Sequence, residues 1–83
     1  MEIFEVVGYK EIDYFSKKNN CQVTGTNVYL VAMSPEKGVV GMQVREVYIS
    51  RSKSIYRAQM GDHVRLIYNR FGRVEDMAVV DDA

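Results

Sequence analysis

Apolar and polar residues alternate with a period of two along most of this chain. The clearest run is Gly61 to Val74, GDHVRLIYNRFGRV, with Val64, Leu66 and Tyr68 in one phase and His63, Arg65 and Ile67 in the other. Successive side chains of a strand point to opposite faces, so the pattern demands half-buried β-structure. No window sustains the helical period of about 3.6. A hairpin needs the alternation, but it does not need Arg65, Arg70 and Arg73 as well.

Val, Ile, Thr, Tyr and Phe dominate runs that are punctuated by Gly, Asn and Ser clusters, and five strands are expected. The first covers about Ile3–Phe15, with Gly8 marking a bulge or bend, and Ser16–Asn20 is a polar turn. The second covers Gln22–Met33 and ends at the turn Ser34-Pro35-Glu36-Lys37-Gly38. The third covers Val39–Ser50. Val40, Met42 and Val44 share one phase while Val47 and Ile49 take the other, which suggests a second bulge near Arg45-Glu46. Arg51–Met60 is a polar connection. Asp62–Asn69 and Arg73–Val80 form the closing hairpin around Asn69-Arg70-Phe71-Gly72. A meander, a connection and a hairpin suit a small five-stranded barrel, closed or partly open, of the OB type; an SH3-like barrel is the alternative.

The 83 residues allow one domain, 1–83, because domains typically hold about 100–150 residues. So small a core packs efficiently or leans on a partner subunit. The single cysteine, Cys21, excludes an internal disulfide framework and fits a reducing, cytoplasmic setting. MEIFEVVGYKE lacks the regions of a signal peptide, and no apolar run approaches the roughly 18–20 residues that span a bilayer.

Catalytic chemistry finds no support in the residue pattern. The glycines occur singly, so no phosphate-cradling loop is present. His63, expected as an exposed strand residue, and Cys21, expected at or near the surface, lie far apart in sequence and lack metal-ligand spacing. Glu11 and Asp13 read as a solvated edge. A non-catalytic protein without metal or small-molecule cofactor is expected.

The formal net charge is zero, but its distribution is uneven. Between Arg45 and Arg73 lie seven basic residues (Arg45, Arg51, Lys53, Arg57, Arg65, Arg70, Arg73) and two acidic ones (Glu46, Asp62). Glu75, Asp76, Asp81 and Asp82 follow with no basic residue. Tyr48, Tyr56, Tyr68 and Phe71 are interleaved with these cations. Single-stranded nucleic acid is held by such a mixture, cations meeting phosphates and rings stacking on unpaired bases. Tyr68 shares phase with Val64 and Leu66 and is expected in the core. Phe71, in a tight turn, is a stacking tip, a dimer contact or a cap on the barrel. Tyr56 is expected as an exposed ring beside Arg57. Tyr9 and Tyr29 are expected on an outer-face platform, and Lys17 and Lys18 extend a basic track.

In length, element order and the aromatic-basic hairpin GDHVRLIYNRFGRV, the chain resembles the small single-stranded-DNA-binding proteins of filamentous phages and related mobile elements. That resemblance implies an OB-fold, a homodimer, cooperative coating of single strands and a place in DNA replication. It puts Arg70, Phe71 and Arg73 on a projecting hairpin that touches nucleic acid or a neighbouring dimer. It makes Tyr29, Arg45, Tyr48 and Tyr56 candidates for the binding face. The second reading is an assembly module in which Phe71, Val79 and Val80 meet a protein partner and the arginines form a polar rim.

Overall fold

The structure is a computed structural model and describes residues 2–80. Asp81 and Asp82 lie outside the described residues. Five antiparallel strands follow in chain order: β1 (Phe4–Ser16), β2 (Cys21–Ala32), β3 (Val44–Ser50), β4 (His63–Tyr68) and β5 (Val74–Val79). They form one sheet in the order β3-β2-β1-β4-β5.

The inner face carries the core. Phe4 and Val6 of β1, Val28, Leu30 and Ala32 of β2, Val47 and Ile49 of β3, Val64 and Leu66 of β4, and Met77 of β5 are all buried. Burying each of the larger side chains contributes about 1.5–3 kcal/mol. The 51–62 connection closes one side, with Tyr56 and Ala58 packed against the core. It is pinned by Ser54, buried, whose hydroxyl donates to Asp76 and accepts from the Tyr56 amide at 3.1 Å.

The sheet coils until its edge strands β3 and β5 approach each other, but they share no ladder, so it is not closed into a barrel. The shortness of β3 contributes to this. Residues expected to begin the strand at Val39 instead belong to an irregular segment, in which Gly38 and Gly41 take φ of 96° and 89°. Such angles suit glycine and interrupt a strand. Val40 is 98% exposed there. The expected bulge near Arg45-Glu46 is absent: β2 and β3 pair without a break from Gly25–Ser50 to Val31–Val44. The change of phase reflects the irregular segment before the strand rather than an extra residue within it.

The bulge at Gly8 is present, as a register shift between Val6 and Gly8. It has a consequence that simple alternation hides. Beyond it Tyr9 pairs with Val28 and so joins the inner face, while Gly8 pairs with Tyr29 on the outer face. Tyr9 therefore does not share a platform with Tyr29. A further bulge, at Glu75, separates the pairs Ile67–Asp76 and Tyr68–Val74. It lets both Val74 and Met77 pack on the core although they are three positions apart.

β1 pairs with β4 only at Phe4–Val64 and Glu5–His63. Val6 extends the contact, its amide donating to the Asp62 carbonyl (2.8 Å) and its carbonyl accepting from Gly61 (2.9 Å). From Gly8 to Ser16 β1 pairs with β2 alone, and β2 meets β3 only from Gly25 onward. The far half of the β1–β2 hairpin is thus a two-stranded arm in a molecule 42 Å in its longest dimension.

Candidate nucleic-acid interface

Strand pairing sorts the candidate residues onto distinct surfaces. On the outer face Tyr29 lies opposite Gly8 on one side and Glu46 on the other, and Tyr48 lies opposite Asn27. The two tyrosines are diagonal neighbours, a separation of about 7–8 Å that aromatic side chains can bridge. Each lies close to a glycine, and Tyr48 requires one. A Cβ on Gly8 would sit 3.3 Å from Tyr29 Cδ2, and one on Gly25 would sit 2.4 Å from Tyr48 Oη and 2.5 Å from the Ile49 carbonyl oxygen. Gly25 is buried beneath the Tyr48 ring, which the missing side chain allows to lie across β2.

Sequence reasoning did not place Tyr14 here. It pairs with Val23 on the same outer face and is 55% exposed, beside Tyr48 at 41% and Tyr29 at 36%. Ile12, Tyr14, Val23, Asn27 and Tyr48 line one shallow cleft, and Val7, Tyr29, Val44, Arg45 and Glu46 border another. The signal was available: with Gly8 taken as the bulge, Ile12 and Tyr14 fall in phase with Tyr29's partner.

The basic candidates do not converge on this face. Lys17 and Lys18 are exposed at the arm's tip, where Asn20 takes a φ of 52°. The β4–β5 turn lies at the opposite end, since β4 runs antiparallel to β1 and starts beside Phe4 and Glu5. In that turn Phe71 is 74% exposed and the Arg70 guanidinium lies over its ring, 5.0 Å from the centroid. Phe71 is therefore not a barrel cap. Asn69 fixes the turn, its Oδ1 accepting from the amides of Phe71 (2.8 Å) and Arg73 (3.1 Å), with Gly72 at a φ of 79°. Arg73 is exposed beside it, and Arg65 is exposed on β4 opposite Ala78.

Tyr68 is not a core residue. It is exposed at the end of β4, its hydroxyl accepts from Arg45 Nη1 at 3.1 Å, and the Arg45 guanidinium lies 5.9 Å from its ring centroid. Arg45, from β3, thus spans the gap to the hairpin that the sheet itself does not close.

Tyr56 is not an exposed ring. It is half-buried on the core and donates its hydroxyl to Asp62 Oδ2 at 2.8 Å. Burial, the hydrogen bond to Asp62 and that carboxylate's charge raise the phenol's pKa well above its ordinary range. Arg57 curls back on its own connection, Nη1 donating to the carbonyls of Tyr56 (3.1 Å) and Ser54 (3.4 Å). Arg51 is paired with Glu11 at 2.7 Å.

His63 is half-buried rather than exposed, with Nε2 3.8 Å from Glu5 Oε1. Cys21 is exposed. Val79 is exposed and Val80 half-buried. Among the described residues no cluster of His, Cys, Asp and Glu could hold a metal ion, and no helix is long and apolar enough to cross a membrane. Comparison with protein-family models, with curated proteins and with solved structures finds no match in any of the three.

Proposed function

We propose that this chain is a non-catalytic protein that binds single-stranded DNA through the outer face of β1, β2 and β3. The observation that carries the reading is the set Tyr14, Tyr29 and Tyr48, solvent-accessible rings from three adjacent strands on one surface. Unpaired bases stack on such rings whatever their sequence, and each contact is worth about 1–3 kcal/mol. Phosphates would be met by Lys17 and Lys18 at the arm tip and by Arg45, Arg65, Arg70 and Arg73 toward the other end. Phe71 would be a stacking tip. The order β3-β2-β1-β4-β5, with β1 between β2 and β4 and the two edge strands close together, supports an OB-like architecture of the partly open kind.

The chain holds six tyrosines and no tryptophan, so its intrinsic emission reports on these rings. Titration with oligo-dT should quench it. Tyr14→Ala and Tyr48→Ala should each weaken binding by roughly 5- to 150-fold, the equivalent of one lost stacking contact. Unchanged affinity in both variants would show that the outer face is not the site.

A second reading, assembly of copies into a homodimer or onto a protein partner, is favoured by a different observation. Val40 and Ile55 are almost fully exposed and Met42 largely so, in the segments flanking β3, and large apolar exposure of this kind marks contact surfaces.

A further inference from the structure

Strand register sets one row across the middle of the tyrosine face: Lys10 of β1 pairs with Asn27 of β2, and Asn27 pairs with Tyr48 of β3. Adjacent strands lie about 4.8 Å apart, so Lys10 and Tyr48 flank Asn27 at one strand's spacing on either side, all on the outer face. One row toward the arm's tip Ile12 lies opposite Gly25, and in the next Tyr14 lies opposite Val23. The Tyr48 ring reaches over Gly25, toward the Tyr14–Val23 pair. Ile12, Tyr14, Val23, Asn27 and Tyr48 thus line one cleft, with two rings, two aliphatic walls and one amide. Lys10 stands at its border, opposite Asn27 and two residues along β1 from Ile12.

The two faces of this hairpin use their polar groups differently. On the inner face Gln22 donates to Asp13, Thr26 donates to Glu11, and Arg51 is paired with Glu11. On the outer face Lys10 is exposed and Asn27 half-buried. Among the described residues neither the Lys10 ammonium nor the Asn27 side-chain amide has a hydrogen-bond or ion-pair partner. Register gives Arg45 of β3 to the inner face, opposite Leu30, but gives Lys10 to the outer one. A cation therefore stands among the rings themselves, not only at the two ends of their face.

We infer, on the strand-binding function proposed above, that this cleft seats one nucleotide, its base on Tyr14 and Tyr48 and bonded at its edge by Asn27, its phosphate met by Lys10. A side-chain amide presents a donor and an acceptor side by side. Those groups match the N3–H and a flanking carbonyl on the Watson–Crick edge of thymine, the edge that an unpaired base leaves open. With no partner inside the chain, both groups of Asn27 are available to the base. The ammonium meets the phosphate as a point charge.

A labelled oligo-dT built from N3-methylthymine keeps the phosphates and the stacking surface but blocks that edge. The unsubstituted chain should bind it about 2- to 12-fold more weakly than ordinary oligo-dT, the equivalent of one hydrogen bond. Asn27→Ala should bind the two strands equally. Lys10→Gln should weaken binding at low salt and make the dependence of log K on log salt shallower by about 0.7, one phosphate contact on a single strand. Lys37→Gln removes the same charge from an exposed turn after β2 and should leave the slope unchanged. Equal binding of both strands by the unsubstituted chain, or a methylation penalty that persists in Asn27→Ala, would overturn the inference while leaving strand binding in place. So would an unchanged slope in Lys10→Gln, or an equal loss of slope in Lys37→Gln. Failure of the unsubstituted chain to bind ordinary oligo-dT at low salt would withdraw the binding function itself, and the nucleotide seat with it.

Discussion

Tyr56 shows how one side chain can be read for the wrong task. Its neighbours in sequence are polar, and Arg57 beside it invites a binding role. In the structure its ring seals the core and its hydroxyl ties the connection to Asp62. Because its folded pKa is raised, the folded state holds the phenol proton more tightly than the unfolded state does. The resulting stabilisation is fully present below the ordinary phenol pKa of about 10 and is lost as pH rises toward the folded value. Urea midpoints measured across alkaline pH should therefore fall above pH ~10, and Tyr56→Phe should flatten that part of the decline. Tyr48 and Gly25 make the complementary case. A bare glycine in a strand reads from sequence as a weak point, whereas here it is the seat of an aromatic ring.

At the scale of the elements, the two hairpins differ in how far sequence determines them. The β4–β5 hairpin was legible nearly to its ends, because Asn69 and Gly72 have the chemistry that its turn needs and alternation runs unbroken up to them. Asn69→Ala removes the acceptor of two backbone amides and should destabilise the protein by about 1–2 kcal/mol, measured as a lower urea midpoint at unchanged slope. The β1–β2 hairpin was legible in extent but not in facing. Its bulge at Gly8 exchanges the roles of Tyr9 and Tyr14, and a face assignment that runs straight through the bulge puts the wrong tyrosine outside. The start of β3 was missed for a related reason. Val39, Val40 and Met42 have strand propensity, and the turn ending at Gly38 was expected, but Gly41 turns the backbone a second time where only tertiary structure reveals it. The bulge at Glu75 left no signal except the three-residue spacing of Val74 and Met77.

For the whole molecule, zero net charge is less informative than where the charges lie. The cations concentrated in the second half of the sequence do not fold into one patch. Some are spent on the protein itself: Arg51 on Glu11 and Arg57 on its own connection. Arg70 and Arg73 stand at the β4–β5 turn, and Lys17 and Lys18, from the first half of the sequence, stand at the arm's tip at the opposite end, with the tyrosine face between them. A strand lying along that face would meet cations at its ends and rings in its middle. That picture could not be drawn from composition, which groups Tyr56 and Arg57 with the proposed site and leaves Tyr14 out. Binding on this pattern would have an electrostatic part that salt removes and a stacking part that it does not. The most direct measurement is fluorescence anisotropy of a labelled oligo-dT titrated with the protein at low and at moderate salt. Saturable binding at low salt that weakens at moderate salt, without vanishing, is the expected result. Absence of binding at low salt would contradict the account and turn attention to a protein partner for the exposed apolar segments around β3.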